Sequence, residues 1–393
     1  MRTPTPAPIP TEPGSTALRS HVHRARAAAR HSRARATWRR AFSLNPGSPS
    51  LVPALRVGAA TAIVLIVGGT LGHTELAALA GLGAITAAFA RGEPYRRRAG
   101  KTAIAGATII GSILLGSALT GTPMLLQIAV LSLAGGAGAW LLASLRIVGP
   151  GAVVIVFAGA AAAMTGDLPR AALATALGVT VGWLAAMAPV TRTSQHGTDE
   201  ERRWVRSGVG RLASGEFLGA GARIAVASSL AGVAALGIGL EHSLWASMGA
   251  TAALQSITFA STVQRSIQRL VGNVTGAAVA LAFIATAMGF WPTAATIVAL
   301  QVITELTIAR NYAVATTAIT PMALLMMGLS GGLTTSMALS RVADTAIGVI
   351  VGVVIAAVTI HPDDAQHLAR AAERPAEPRH AAPPQAPDPD VRQ

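Results

Sequence analysis

The chain has 393 residues, of which 52% are hydrophobic and only 12% charged, and it carries a formal net charge of +14 with no cysteine. So apolar a composition excludes a water-soluble domain, and the missing cysteines exclude disulfides, thiolate chemistry and cysteine-based metal sites. The basic excess lies beside apolar stretches and no binding fold accompanies it, so no nucleic-acid partner is expected.

Residues 1–50 hold nine arginines among many Pro and Ala. No apolar core adjoins the basic region, which argues against a cleaved signal peptide. A basic cytoplasmic tail is expected. It is either an arm whose arginines fix topology, or a helix lying on anionic membrane lipid with Trp38 and Phe42 at the interface.

From 51 to 360 the chain divides into twelve apolar stretches: 51–71, 75–91, 101–120, 123–144, 148–165, 169–190, 217–239, 243–262, 270–289, 292–309, 312–330 and 339–360. A crossing needs roughly 20 apolar residues to cover about 30 Å of hydrocarbon at about 1.5 Å each. The stretches run continuously apolar rather than alternating, which speaks against a transmembrane barrel. The expected fold is an all-α membrane protein of about twelve transmembrane helices. With both termini cytoplasmic, all of the 31 Lys and Arg except Arg170 and Arg341 fall at inner loops, tails or helix ends, as the positive-inside rule requires in a multi-pass protein of the plasma (cytoplasmic) membrane.

An internal repeat organises these stretches. "ALRVGAATAIV" (54–64) matches the plan of "GARIAVASSLA" (221–231), pairing Arg56 with Arg223, and His73 and Gly81 answer His242 and Gly249. "YRRRAGKTAIAG" (95–106) corresponds to "VQRSIQRLVG" (263–272), Arg146 falls where Arg310 falls, and "GVTVGWLAA" (178–186) matches "GVIVGVVIA" (348–356), preceded by Arg170 and Arg341. Six crossings per half make the repeats parallel, at 51–190 and 217–360. Residues 191–216 read as a cytoplasmic linker with a surface helix, and 361–393 as a disordered cytoplasmic tail. Gly178 and Gly182, like Gly348 and Gly352, are four apart and are expected to form helix-packing grooves.

Three stretches, "QRSIQRLVGNVTGAAVALA" (264–282), "ARNYAVATTAITPMALL" (309–325) and "SRVADTAIGVIVGVVIA" (340–356), resemble in order and spacing the recurring blocks of the FUSC family, the fusaric acid resistance and aromatic acid exporter group. The resemblance implies an integral inner-membrane transporter that exports aromatic carboxylic acids and similar weak acids. It places Arg265, Arg269, Arg310, Asn311, Tyr312, Arg341 and Asp344 on positions matching the family's motifs. Several longer relatives insert a large cytoplasmic domain where this chain has only a linker between its halves.

An anion path needs fixed positive charge, and the planar fork of Arg suits carboxylates. Arg56, Arg223, Arg146 and Arg310, with Asn311 and Tyr312, are the candidates for that path. Glu305 is the acidic residue placed well inside a stretch, about 7.5 Å along the helix from Arg310. It faces away from Arg310 and is expected to pair with Arg56, Arg223 or Arg146, or to bind a coupling proton. Arg341 and Asp344, three apart, share a helix face and are expected to pair.

Enzymatic readings find little. "AGKT" (99–102) lacks the first glycine of a phosphate-binding loop, where Tyr95 stands instead. His73 with Glu75, and His242 with Glu241, fit no metal-ligand spacing. No cofactor, metal or catalytic activity is expected. The expected function is export of aromatic or other hydrophobic organic anions. The alternatives are an uncoupled organic-anion channel, and a non-transporting scaffold whose basic arm binds lipid or a partner.

Overall fold

The structure is a computed structural model that describes residues 35–45, 51–164, 166–188, 199–256, 258–332 and 334–360. The expectations for residues 1–34 and 361–393 lie outside the described residues, as does the start of the linker. Among the described residues there are fourteen α-helices and no strands. In chain order they are α1 (Arg35–Ala41), α2 (Leu51–Thr70), α3 (Thr74–Ala84), α4 (Tyr95–Ala118), α5 (Met124–Ser144), α6 (Ala152–Ala162) and α7 (Leu168–Met187). Then follow α8 (Asp199–Leu212), α9 (Gly215–Gly237), α10 (Ser243–Leu254), α11 (Phe259–Ala285), α12 (Phe290–Thr307), α13 (Tyr312–Gly331) and α14 (Thr335–Val358). A short 3-10 helix, Ile85–Ala88, extends α3.

Among the described residues, eight helices are long and apolar enough to cross a membrane: α2, α4, α5, α7, α9, α11, α13 and α14. The protein is a multi-pass integral membrane protein. Side chains sort as lipid demands: Leu133, Leu173, Leu177, Leu184, Ile350 and Val354 are each more than half exposed, while the interior is dominated by Ala, Gly, Ser and Thr. In water such a surface would be one large apolar patch. In lipid, helices gain little by hiding Leu from Leu and instead bring small residues together.

The stretches expected at 75–91, 148–165 and 243–262 behave differently, because α3, α6 and α10 have only 11, 11 and 12 residues. At about 1.5 Å per residue they cover roughly half of the hydrocarbon thickness. Every residue of α10 is buried, as is most of α3 and α6. Their unbroken apolarity reflects burial inside protein on all sides, which a hydropathy count cannot tell from lipid contact.

Several helix pairs in the two halves of the chain make corresponding contacts. α2 lies on α3 and α7 as α9 lies on α10 and α14; α4 lies on α6 and α7 as α11 lies on α13 and α14. Across the middle, α5 packs on α9 and α12 on α2, with α6 against α10 and α13 against α3. The glycines set the closeness. Gly178 lies against the backbone of Ala80 and Gly182 against that of Ala84, while Gly348 meets Ala246 and Gly249, and Gly352 meets Ala250 and Ala253. Gly83, which lies on Gly178, holds the place of Gly249. Gly81, which the sequence pairs with Gly249, faces Met326.

α8 lies within the predicted linker. Its Trp204 packs on Gly100, and the Nε of Arg211 donates to the Ser144 carbonyl at 2.7 Å. α1 packs on α11; Trp38 and Phe42 are about half exposed, and Ala41 is fully buried.

Candidate functional site

Two helices of the second half begin at the same end of the bundle, each with its own cap. α11 starts with a capping box, in which the Thr258 hydroxyl accepts from the Ser261 N–H at 3.2 Å and the Ser261 hydroxyl accepts from the Thr258 N–H at 3.1 Å. α13 starts at Asn311, whose side-chain oxygen accepts from the Ala313 N–H at 2.8 Å. From these starts, steps of four put Arg265, Arg269 and Asn273 on one face of α11, and Tyr312, Thr316 and Thr320 on one face of α13.

The two faces meet because glycine removes the obstacle. Gly272 lies against Ala313 and Thr316, and Gly276 against Thr320 and Pro321. Across this contact the Arg269 Nη1 donates to the Tyr312 hydroxyl at 2.9 Å, and the Thr320 hydroxyl donates to the Asn273 side-chain oxygen at 3.1 Å. The Asn273 amide donates in turn to the Thr345 hydroxyl on α14. The Arg265 guanidinium stands 3.9 Å from the centre of the Tyr312 ring, and its Nε donates to the Ala252 carbonyl at the end of α10 at 3.0 Å.

α14 also supplies Asp344, next to Thr345, and Arg341 one turn earlier. Arg341 is 3% exposed and Asp344 fully buried. The Arg341 guanidinium lies 4.8 Å from the centre of the Trp245 ring, and its Nη1 reaches the Met248 sulfur at 3.9 Å. Among the described residues no ion pair joins Arg341 to Asp344, contrary to expectation: the Arg341 head is drawn onto Trp245 and Met248 of α10. Both Asp344 oxygens, and the Nε atoms of Arg269 and Arg341, are buried without a hydrogen-bond partner. The result is a buried column of two arginines, one carboxylate, a phenol and an amide inside an apolar bundle. A charge at such a depth costs about 2.5–3.5 kcal/mol even on the mildest insertion scale.

Trp245 also lines a second feature. Two adjoining cavities, of about 180 Å³ and about 150 Å³, share Phe157, Ala161, Met164, His242 and Met327. They lie at the end of the bundle where α9 turns into α10 and α13 into α14, and draw walls from both halves. The His242 ring stacks on Trp245 with centroids 4.5 Å apart. The cavity walls thus connect, through one indole, to the buried arginine behind it.

Other predicted residues lie elsewhere. Arg146 and Arg310 are exposed loop residues, Arg146 with a positive φ of 50°. The Arg56 Nη2 donates to the Ala188 carbonyl at 2.6 Å, and Arg223 is half-buried. None of the four is buried as Arg269 and Arg341 are. Glu305, 7% exposed, pairs with Arg91 rather than with Arg56, Arg223 or Arg146. Arg91 follows the 3-10 helix of the first half, in a loop whose fold brings it to α12. Arg170 is largely exposed and pairs with Asp167 at 3.3 Å, unlike buried Arg341. With Gly178 aligned to Gly348, Ala171 and Ala174 hold the places of Arg341 and Asp344, so the first half lacks this charge. The Asn311 amide donates to the carbonyls of Ala41 and Ser43, and Gln268 also donates to Ala41, tying α1 to the bundle.

The sequence reading missed Asn273, Thr316, Thr320, Trp245 and Arg91. A signal for the first three was present, since polar residues recur every fourth position on two facing helices. None existed for Trp245 and Arg91, whose roles come from tertiary contact alone.

Comparison with known proteins bears on the same half. Residues 229–355 match the family described as fusaric acid resistance protein-like, and every residue of the buried column lies within that range. The chain is 34% identical over 120 residues to an uncharacterized membrane protein, YvaC, of Bacillus subtilis (strain 168). The aligned part is 30% of this chain and 19% of that protein, so the chain spans about a fifth of the relative's length. No solved structure matches. The stretch that holds the buried arginines, residues 229–355, is accordingly similar to fusaric acid resistance protein-like sequences.

Proposed function

We propose that the protein is a transporter that carries hydrophobic or aromatic organic anions outward across the plasma membrane. The observation that supports this most is the buried column of Arg269 and Arg341 against the single carboxylate of Asp344, a surplus of positive charge that an entering anion would offset. Arg suits a carboxylate by its planar fork, and unused Nε–H groups on both arginines are available to such a ligand. The cavities lined by Phe157, Trp245 and several methionines suit an apolar or aromatic body.

The matched packing of α2–α7 and α9–α14 supports two parallel six-helix repeats, in which α3, α6 and α10 act as short internal segments among twelve. On this reading the termini are cytoplasmic and the His242 end faces outward. The path runs from the cavities past Trp245 to Arg341 and Arg269, in place of the surface arginines Arg146 and Arg310.

The test is flux in liposomes holding the purified protein, with a panel of aromatic and aliphatic carboxylates under an imposed potential and, separately, a pH gradient. Carboxylate flux that is lost in Arg269→Gln and Arg341→Gln is the expected result. No flux of any anion, or flux unchanged in both variants, sinks the proposal; flux driven by voltage alone assigns a channel instead.

A further inference from the structure

Among the described residues, Asp344 differs from the other buried carboxylate, Glu305. Glu305 is held by Arg91. Neither oxygen of Asp344 has a donor, although the residue is fully buried.

The groups around it can be named from each neighbouring helix. Its own helix supplies Arg341 one turn earlier and Thr345, which is taken up by Asn273. α11 supplies Arg269, which together with Asp344 and Tyr312 acts electrostatically on Arg341. α13 supplies Tyr312, whose hydroxyl is occupied by Arg269. α10 supplies Trp245 and Met248, which hold the Arg341 guanidinium, and His242 at its start, which feels Arg341. α9 also packs on α14, but its charged residues, Glu216 and Arg223, lie in its first nine positions. Apart from the unpartnered Nε–H groups of Arg269 and Arg341, the polar donors named here are committed elsewhere. What remains to Asp344 is the positive field of two arginines, the same field an organic anion would use.

An ionised Asp344 and a bound carboxylate repel one another in a medium of low dielectric, and a proton on Asp344 removes that repulsion. We propose that Asp344 couples proton binding to anion binding with positive sign, so that each favours the other and the two leave together. This rests on the anion-transport reading above. The step makes and breaks one carboxyl O–H bond: the proton comes from solvent on the loading side and returns to solvent on release. A monovalent carboxylate carried with one proton moves no net charge, so its flux follows the gradients of anion and proton and is insensitive to membrane voltage.

The experiment uses the full chain in lipid nanodiscs with radiolabelled benzoate as probe, its affinity measured from pH 5 to pH 8. Wild-type affinity should rise about tenfold or more as pH falls, within the range usual for linked sites. Asp344→Asn should bind tightly and alike across that range, Asp344→Glu should restore the dependence, and Glu305→Gln should keep it. In weak buffer, saturating benzoate should drive proton uptake by the wild type and by Asp344→Glu and none by Asp344→Asn, provided size-exclusion shows the variant folded; Asp344→Ala takes its place if it is not. Binding that is independent of pH in the wild type, or dependence that survives in Asp344→Asn, overturns the coupling and leaves the anion site standing. Absence of benzoate binding at every pH overturns the anion site itself, and the coupling with it.

Discussion

The Arg91–Glu305 pair joins a loop of the first half to α12 of the second, and its two partners are unequally buried. The Glu305 side chain is 4% exposed and that of Arg91 28%. Removing Arg91 strands a carboxylate among apolar groups, with only the Gln301 amide at 3.4 Å to serve it, so Arg91→Gln should cost about 3–5 kcal/mol. Removing Glu305 strands an arginine whose long stem can turn its head to water, so Glu305→Gln should cost about 1 kcal/mol. The double variant leaves two neutral amides of similar size and should cost about 1–2 kcal/mol, which gives a coupling of about 3 kcal/mol. Unfolding of the purified protein in mixed micelles, followed by tryptophan fluorescence, measures all three. Equal costs for the two single variants, or single costs that sum in the double, would refute the reasoning from burial.

Gly348→Ala drives a methyl group to 2.8 Å from the Gly249 Cα, and should cost about 1–3 kcal/mol in the same unfolding assay. Gly111→Ala meets nothing within 4 Å and should be neutral or stabilising by up to about 1 kcal/mol. Tyr312→Phe keeps the ring beside Arg265 but loses the Arg269 bond; it should cost about 0.6–1.7 kcal/mol and lower carboxylate flux, read in liposomes. His242 lies outside the spanning helices. Burial holds its imidazole below the ordinary 6.5, with Glu241 opposing and Arg341 adding to the effect. The unfolded chain then takes the proton first, so stability falls as pH drops below about 6.5 toward the folded value. His242→Gln should remove that part of the acid loss, visible in melting temperatures between pH 7 and pH 5.

Composition and run length were enough to read a helical membrane protein, because the cost of unpaired backbone in hydrocarbon leaves few choices. Run length misled at α3, α6 and α10. Each is apolar throughout because protein surrounds it, and Gly151, with φ of 78° at the start of α6, marks a break that hydropathy does not register. The motif arginines were visible in the sequence, but their sorting was not. Arg310 and Arg341 look alike in a string of letters, yet one is an exposed turn residue and the other is 3% exposed beneath Trp245. Glu305 was noticed for its depth. Its partner came from a loop more than two hundred positions away, which no helical spacing rule can reach.

The carbonyl of Ala41 accepts from both Gln268 at 2.9 Å and Asn311 at 3.2 Å. One oxygen therefore staples the start of α13 to the third turn of α11, the two helices that carry Tyr312 and Arg269. These ends cannot splay while α1 sits in place without stranding two buried amides. α1 therefore acts as a clasp across the two helices that hold the charge.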